Sequence, residues 1–120
     1  MYRGMIVDDA SIIRVRLRTI LEAYFEIIYE TDNGMDALIN YKTLKPDFIT
    51  LDIAMPKMNG IEAMKKILAF HNEAKIVIVS AVGQKKQVYE ALAMGAKNFI
   101  VKPFEPERVK EAVFGLFDDE

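Results

Sequence analysis

The stretch IVIVS, residues 76–80, places four β-branched apolar residues in a row before a hydroxyl side chain. Such a run is typical of a β-strand, and a strand without polar alternation is buried on both faces, as in a parallel sheet covered by helices. Three further runs have a similar character and also end in polar residues: MIVDD at 5–9, FITLD at 48–52 and FIVKP at 99–103. These runs indicate a parallel sheet covered by helices.

Helical periodicity fills the intervals between the strands. A short β-prone segment at 25–30 adds a fifth strand, and apolar residues recur at helical spacing in the segments between strands and after the last one. The helical segments lie after Asp9, after Asn33-Gly34, after Asn59-Gly60, before Gly95 and after Pro106. Strands alternating with helices predict an α/β domain, with a parallel sheet wound by right-handed crossovers and helices on both faces.

Bulk composition indicates one ordinary globular domain. The chain has 120 residues, enough for a single core, and its net charge of −2 provides no basic surplus to attract nucleic acid or a membrane surface. The absence of cysteine excludes disulfides and thiolate metal sites, and no apolar run approaches the ~20 residues that a membrane helix needs. We therefore expect one domain, residues 1–120, that is a cytoplasmic monomer.

Chemistry-bearing side chains follow the predicted strands at their carboxyl ends. Asp8 and Asp9 follow the first strand, and Asp52 ends the third. Ser80 ends the fourth strand, and Lys102 ends the fifth. In open parallel sheets ligands bind outside the carboxyl ends of the strands, at the point where the strand order reverses. We therefore expect these side chains to meet at one edge of the sheet.

Three carboxylates gathered at one edge repel each other unless a cation lies between them. Carboxylate oxygens are hard ligands, which favours Mg²⁺ over zinc. Adjacent side chains on a strand point to opposite faces, so Asp8 and Asp9 are expected to play unequal parts, one touching the ion and one holding its water. With the Lys102 ammonium opposite and the Ser80 hydroxyl beside it, such a site is suited to a phosphoryl group, and Asp52 is the natural nucleophile.

Four stretches together resemble the receiver domain of bacterial two-component response regulators, most of all its single-domain chemotaxis type. They are IVDDAS at 6–11, PDFITLDIAMPKMNGIEAMKKI at 46–67, IVIVSA at 76–81 and MGAKNFIVKPF at 94–104. The resemblance extends over essentially the whole chain. It implies a doubly wound, flavodoxin-like sheet of five strands in the order 2-1-3-4-5, with five helices on both faces.

The resemblance also implies a chemical role for individual residues. Asp52 matches the phosphoacceptor of the family. Asp8, Asp9 and Asp52 match its Mg²⁺-binding carboxylates, to which the backbone carbonyl of Ala54 adds a ligand. Lys102 matches the lysine that the family places before a proline.

Two further positions match the parts that transmit the signal in the family. Ser80 matches the switch hydroxyl, and Phe99 matches the aromatic residue that swings inward on activation. The Lys102-Pro103 bond is a candidate for the cis form. Ala54 and Val82 are small or apolar where relatives often carry polar side chains, which leaves the dephosphorylation rate open.

The function implied is signalling, with no catalysis beyond the protein's own phosphorylation and dephosphorylation. The phosphodonor would be a histidine kinase, and the output would be a target protein such as a flagellar motor switch component. The target would read the face formed by the helix beginning near Gln84, the fifth strand and the last helix. A phosphorelay intermediate and a receiver excised from a larger regulator are alternatives, although the absence of a linker after Phe117 favours a free-standing protein.

Three other functions fit the sequence less well. An aspartate-nucleophile phosphatase usually carries a second acid two residues after the nucleophile, where this chain has Ala54. A flavodoxin-like cofactor binder on the same fold would need a phosphate-cradling loop after the first strand, where the acidic DDAS at 8–11 would repel phosphate. A degenerate receiver that only binds partners is opposed by the intact acids, Ser80 and Lys102.

Each site residue also has an ordinary structural interpretation when it is taken alone. Asp8-Asp9 could cap a helix, Asp52 could sit in a turn, and Ser80 and Lys102 could be a strand-end hydroxyl and a solvated lysine. Elsewhere, the sequence predicts that His71 lies in a surface turn. It predicts a solvated helix face for the three arginines Arg14, Arg16 and Arg18.

Overall fold

The structure, a computed structural model, describes residues 1–118, so Asp119 and Glu120 of the predicted domain lie outside the described residues. Five strands alternate with five α-helices in this range, and a 3₁₀ turn at Gly115–Phe117 follows the last helix. The strands are Arg3–Val7 (β1), Glu26–Thr31 (β2), Phe48–Asp52 (β3), Ile76–Ala81 (β4) and Asn98–Lys102 (β5). The helices are Ser11–Leu21 (α1), Gly34–Leu44 (α2), Gly60–Phe70 (α3), Lys85–Met94 (α4) and Pro106–Phe114 (α5).

The strands form one parallel sheet in the order β2-β1-β3-β4-β5, which confirms the predicted topology. The chain moves outward from β1 to β2 and then returns past β1 to β3. The order therefore reverses between β1 and β3, and the carboxyl ends of these two strands are neighbours there. This is the position at which an open parallel sheet binds its ligands.

Both faces of the sheet are covered by helices, because side chains alternate along each central strand between two hydrophobic layers. One layer packs against α2, α3 and α4, and the other packs against α1 and α5. The strand residues of the first layer include Met5, Val7, Ile49, Leu51, Ile76 and Ile78. Those of the second include Ile6, Phe48, Val77, Val79 and Ile100.

Local signals fix several of the helix ends. The Asn33 and Asn59 side chains cap α2 and α3 by accepting hydrogen bonds from backbone N–H groups at 2.8 and 3.0 Å. Gly95 ends α4 with a φ of 126°. The Lys102-Pro103 bond is cis, as predicted.

Within residues 1–118, no helix combines the length and the apolar character needed to cross a membrane.

Candidate functional site

The carboxyl ends of β1 and β3 bring the three predicted carboxylates together. Asp52 is the last residue of β3, and Asp8 and Asp9 lie in the loop between β1 and α1. One oxygen from each of the three lies within 4.8 Å of the others, and we call Asp8, Asp9 and Asp52 the carboxylate cluster. Asp8 and Asp52 are buried, whereas Asp9 is exposed. The two adjacent aspartates are therefore unequal in burial, although both lie beyond the strand whose alternation was expected to separate them.

Lys102 supplies the positive charge of the site from the end of β5. Its Nζ lies 2.9 Å from Asp8 Oδ2 and 3.5 Å from Asp52 Oδ2. Burial by itself would lower the pKa of Lys102, but the hydrogen bond to Asp8 and the charges of Asp52 and Asp8 outweigh it, so this pKa is raised. The ammonium therefore remains charged at neutral pH.

Asp52 is held in an environment that disfavours its negative charge. Burial is the largest cause, the charge of Asp8 adds to it, and together they raise the pKa of Asp52 from 3.8 to about 7. The Lys102 charge and a hydrogen bond from the Ala54 N–H, 3.3 Å from Oδ1, act in the opposite direction. Without a further cation, this carboxylate is poorly compensated.

Ser80 is a buried hydroxyl at the same edge of the sheet. Asp52 pairs with Val79 across the β3–β4 ladder, so Ser80 lies one residue further along the neighbouring strand. The Ser80 side chain is 1% exposed, and its Oγ has no hydrogen-bond partner among residues 1–118. A buried hydroxyl without a partner is costly, so Ser80 retains an unused capacity to donate a hydrogen bond beside the carboxylate cluster.

Phe99, the predicted switch aromatic, lies on β5 opposite Ile78 and is half-buried against the layer that packs on α2–α4. The guanidinium of Arg108 lies 5.6 Å from its ring centroid and donates to the Phe99 carbonyl at 2.6 Å. Arg108 thereby joins α5 to β5 beside this ring. Inward movement of the ring stays a prediction.

The start of α3 packs directly against the backbone of Asp52. A Cβ on Gly60 would lie 2.1 Å from the Asp52 carbonyl oxygen and 2.7 Å from the Ile53 Cα. The Gly60 N–H also donates to the Ile53 carbonyl at 3.0 Å. In the sequence, Gly60 marks only the start of a helix, and its position after Asn59 gives no sign of this contact.

The arginines of α1 correct the prediction of a solvated helix face. Arg14 is half-buried, and its Nη1 donates to the carbonyl of Asp8 at 2.6 Å, so the prediction is wrong for this residue. Arg16 stays exposed but lies 5.0 Å from the Phe104 ring centroid, and Arg18 forms an ion pair with Glu30 at 2.6 Å. Helical spacing identified the face but gave no information about the loop carbonyl that Arg14 reaches.

His71 lies at the exposed end of α3, as predicted, away from the carboxylate cluster. Its Nδ1 is 3.0 Å from the hydroxyl of Tyr41.

The site has the donor set of a hard divalent cation. Three carboxylates offer converging oxygens, and burial together with the charge of Asp8 leaves the Asp52 anion disfavoured in the absence of such an ion. Oxygen ligands of this kind suit Mg²⁺, and the cluster contains neither histidine nor cysteine. A metal ion, an ammonium group and a free hydroxyl around one buried carboxylate can stabilise a phosphoryl group during its transfer.

Comparison with known proteins agrees with this geometry. Residues 5–114 match the response regulator receiver domain family. The chemotaxis protein CheY of Thermotoga maritima is 51% identical over 112 residues, which cover 92% of this chain and 93% of that protein. The chemotaxis protein CheY of Bacillus subtilis is 45% identical over 113 residues, which cover 93% of this chain and 94% of that protein.

A solved structure shows the same similarity in three dimensions. The CheX–CheY–BeF₃–Mg²⁺ complex from Borrelia burgdorferi aligns with a TM-score of 0.92 at 37% identity, covering 97% of this chain and 89% of that chain. Fold, site and relatives therefore agree, and the chain belongs to the response regulator receiver domain family.

Proposed function

We propose that this protein is a phosphoacceptor of a two-component signalling system, in which Asp52 takes a phosphoryl group from a histidine kinase. The observation that carries the proposal is the buried Asp52 carboxylate beside Asp8, with the Lys102 Nζ 3.5 Å from its Oδ2. The similarity to chemotaxis proteins over more than nine-tenths of the chain supports a role in chemotaxis. We further propose that residues 1–120 act as one receiver domain, as a monomer in the cytoplasm.

The reaction requires one bond to form and one to break. A carboxylate oxygen of Asp52 attacks the phosphorus of a phosphohistidine, and the P–N bond breaks as the new P–O bond forms. The electron pair of the P–N bond stays on the imidazole nitrogen of the kinase. The Lys102 ammonium offsets the negative charge that the phosphoryl group brings to Asp52.

The carboxylate cluster, together with the backbone carbonyl of Ala54, would hold a Mg²⁺ ion. When bound, the ion supplies positive charge that offsets the cluster and the phosphoryl oxygens. The exposed Asp9 lies on the solvent side of the buried Asp8 and Asp52, so the site is open to an ion from solution. The relative from Borrelia burgdorferi, whose structure includes CheY, BeF₃ and Mg²⁺, supports this assignment.

The output begins at Ser80. Its unpartnered hydroxyl donates to the phosphoryl group on Asp52 and draws the loop after β4 towards the site. The space left beneath that loop accepts the ring of Phe99, which has no hydroxyl and so leaves no polar group unsatisfied when it moves inward. The face formed by α4, β5 and α5, with Gln84, Lys85 and Val88 nearest the change, then binds a target such as a flagellar motor switch component.

Incubation with acetyl phosphate and Mg²⁺, followed by intact mass measurement, tests the proposal. We expect one phosphoryl group per chain, and none after removal of Mg²⁺ or in Asp52→Asn. Asp32→Asn is the matched control, because Asp32 is an exposed carboxylate at the same sheet edge that lies outside the cluster. Labelling that persists in Asp52→Asn would refute the assignment of Asp52.

A further inference from the structure

Gln84 forms two hydrogen bonds across the loop between β4 and α4. Its Oε1 accepts a hydrogen bond from the Ala81 N–H at 2.7 Å, and its own N–H donates to the Ala81 carbonyl at 3.3 Å. Between the two residues, the Val82 side chain is 79% exposed, and a Cβ on Gly83 would meet nothing within 4 Å. Residues 82–84, the β4–α4 loop, are therefore held to β4 chiefly by Gln84.

The hydrogen bond of Gln84 ends next to the site. Ala81 is bonded directly to Ser80, the buried hydroxyl that has no partner within residues 1–118. The main chain of Gln84 is fixed at its other end, since its carbonyl accepts from the Val88 N–H at 3.0 Å in the first turn of α4. A movement of Ser80 that shifts the Ala81 backbone relative to α4 therefore strains or breaks the hydrogen bond between the Ala81 N–H and Gln84.

We propose that Gln84 is a positioning residue that restrains the β4–α4 loop in its resting position. The inference rests on the proposed function, in which Ser80 moves to donate a hydrogen bond to a phosphoryl group on Asp52. The hydrogen bond from the Ala81 N–H to Gln84 opposes that movement. At 2.7 Å this bond is at the short end of the usual range for N–H···O bonds, which extends to roughly 3.2 Å, so a shift well below the width of an atom weakens it. Loss of the Gln84 side chain removes this hydrogen bond and favours the arrangement in which Ser80 contacts the group on Asp52.

Titration of the Mg²⁺-saturated protein with beryllofluoride tests the restraint, with binding followed by NMR amide shifts around Asp52. We expect Gln84→Ala to bind this phosphoryl mimic about 2- to 12-fold more tightly than the parent, the equivalent of one net hydrogen bond. Gln87→Ala is the matched control, because Gln87 lies one turn further along α4 and its side chain makes no hydrogen bond to residues 1–118. Its affinity is expected to equal that of the parent.

Two further measurements separate a restraint from an ordinary structural contact. Exchange of the Ala81 amide hydrogen is expected to accelerate in Gln84→Ala without beryllofluoride, because the amide has lost its acceptor. Thermal stability of that resting variant is expected to fall or stay constant while its affinity for the mimic rises. A merely structural contact would lower both stability and affinity.

The outcomes for the restraint and for the proposed function are distinct. If Gln84→Ala binds beryllofluoride as the parent does or more weakly, or if the Ala81 amide exchanges at the parental rate, the restraint is refuted. The phosphoacceptor proposal survives either result. If the parent fails to bind beryllofluoride, or if Asp52→Asn binds it equally well, the proposed function itself fails.

Discussion

At the scale of single residues, Asp52 is a buried acid whose oxygens would be shared between a proton and the proposed cation. Burial and the Asp8 charge raise its pKa to about 7, above the value of 3.8 of an unperturbed aspartate. Because the folded-state pKa is the higher one, this group favours the fold at low pH, and its contribution is lost as the pH rises through about 7. The metal-free protein therefore carries an increasing penalty near neutrality, which a bound cation relieves.

Affinity for Mg²⁺ should follow this titration. We expect it to rise as the pH increases from 6 to 8, because protons occupy Asp52 at the lower pH and binding must release them. Calorimetry in buffers of different ionisation enthalpy measures both the affinity and the released proton. Asp52→Asn should release no proton in this range, and a pH-independent affinity in the parent would contradict the prediction.

Gly60 shows how closely the backbone confines the phosphoacceptor candidate. In Gly60→Ala the added Cβ would meet the Asp52 carbonyl and the Ile53 Cα, which are main-chain atoms of a buried strand end and cannot yield easily. We expect a loss of at least about 2 kcal/mol in the free energy of unfolding, measured by urea denaturation.

Gly115→Ala is the control for this substitution. Gly115 has a helical φ of −60°, and a Cβ there would meet nothing within 4 Å. We expect its unfolding free energy to change by less than about 1 kcal/mol. Equal stabilities of the two variants would show that the chain beside Asp52 has room for a side chain.

At the scale of elements, the end of β4 couples the site to the neighbouring strand β5. Ser80 and Thr50 are both buried hydroxyls without a partner among residues 1–118, but Ser80 lies at the strand end beside the cluster, whereas Thr50 lies within β3. Removal of either orphaned group should stabilise the resting fold, by about 1 kcal/mol in each case. Their effects on signalling should differ.

We expect Ser80→Ala to raise the melting temperature and to abolish the change in the Phe99 ring signals that beryllofluoride produces in the parent. The cause is the loss of the donor that draws the loop after β4 inward. Thr50→Val, which keeps the shape of the side chain, should give a similar stabilisation with the Phe99 response intact. If the ring signals of Ser80→Ala still respond as in the parent, Phe99 is driven by another route.

The elements that define this fold are readable from sequence because each has a local cause. The run at 76–79 cannot avoid burial on both faces, and the asparagines before Gly34 and Gly60 cap their helices within three residues. The meeting of Asp8, Asp52 and Lys102 was also predictable, because parallel strands present all their carboxyl ends at one edge. Pattern and topology were sufficient for these features.

Contacts that depend on the reach of a long side chain were not predictable in this way. Arg14 was assigned to a solvated face, although it binds the Asp8 carbonyl, and Gln84 was assigned to the target-binding face with no sign of its hydrogen bond to Ala81. Both contacts depend on the rotamer of a flexible side chain and on the path of a neighbouring loop, and neither is encoded in residue spacing. The tight approach of Gly60 to Asp52 also depends on how α3 lies against β3.

At the scale of the whole molecule, a cation that binds the folded carboxylate cluster stabilises the entire chain. At about ten times its Kd such a ligand adds roughly 1.4 kcal/mol, which should raise the melting temperature by roughly 5 °C for a domain of this size. Asp9→Ala should remove most of the rise caused by Mg²⁺, because Asp9 is one of the three residues proposed to hold the ion, yet it is exposed and contributes little to the core.

Thermal unfolding at millimolar Mg²⁺ and with EDTA measures this effect. Asp32→Ala, which removes an exposed acid outside the cluster, should retain the full rise. A melting temperature of the parent that is insensitive to Mg²⁺ would contradict a metal site.

The contact between Lys102 and Asp8 joins the end of β5, the last strand of the chain, to the loop that follows β1, the first. During translation every acid of the carboxylate cluster therefore leaves the ribosome before the lysine that compensates it. A nascent chain that has emerged only as far as α4 carries all three acids and lacks the edge strand that brings the ammonium to them. On the proposed function, the set of groups needed for phosphoryl transfer is complete only when β5 has joined β4, which makes the last strand to be synthesised the one that completes the site.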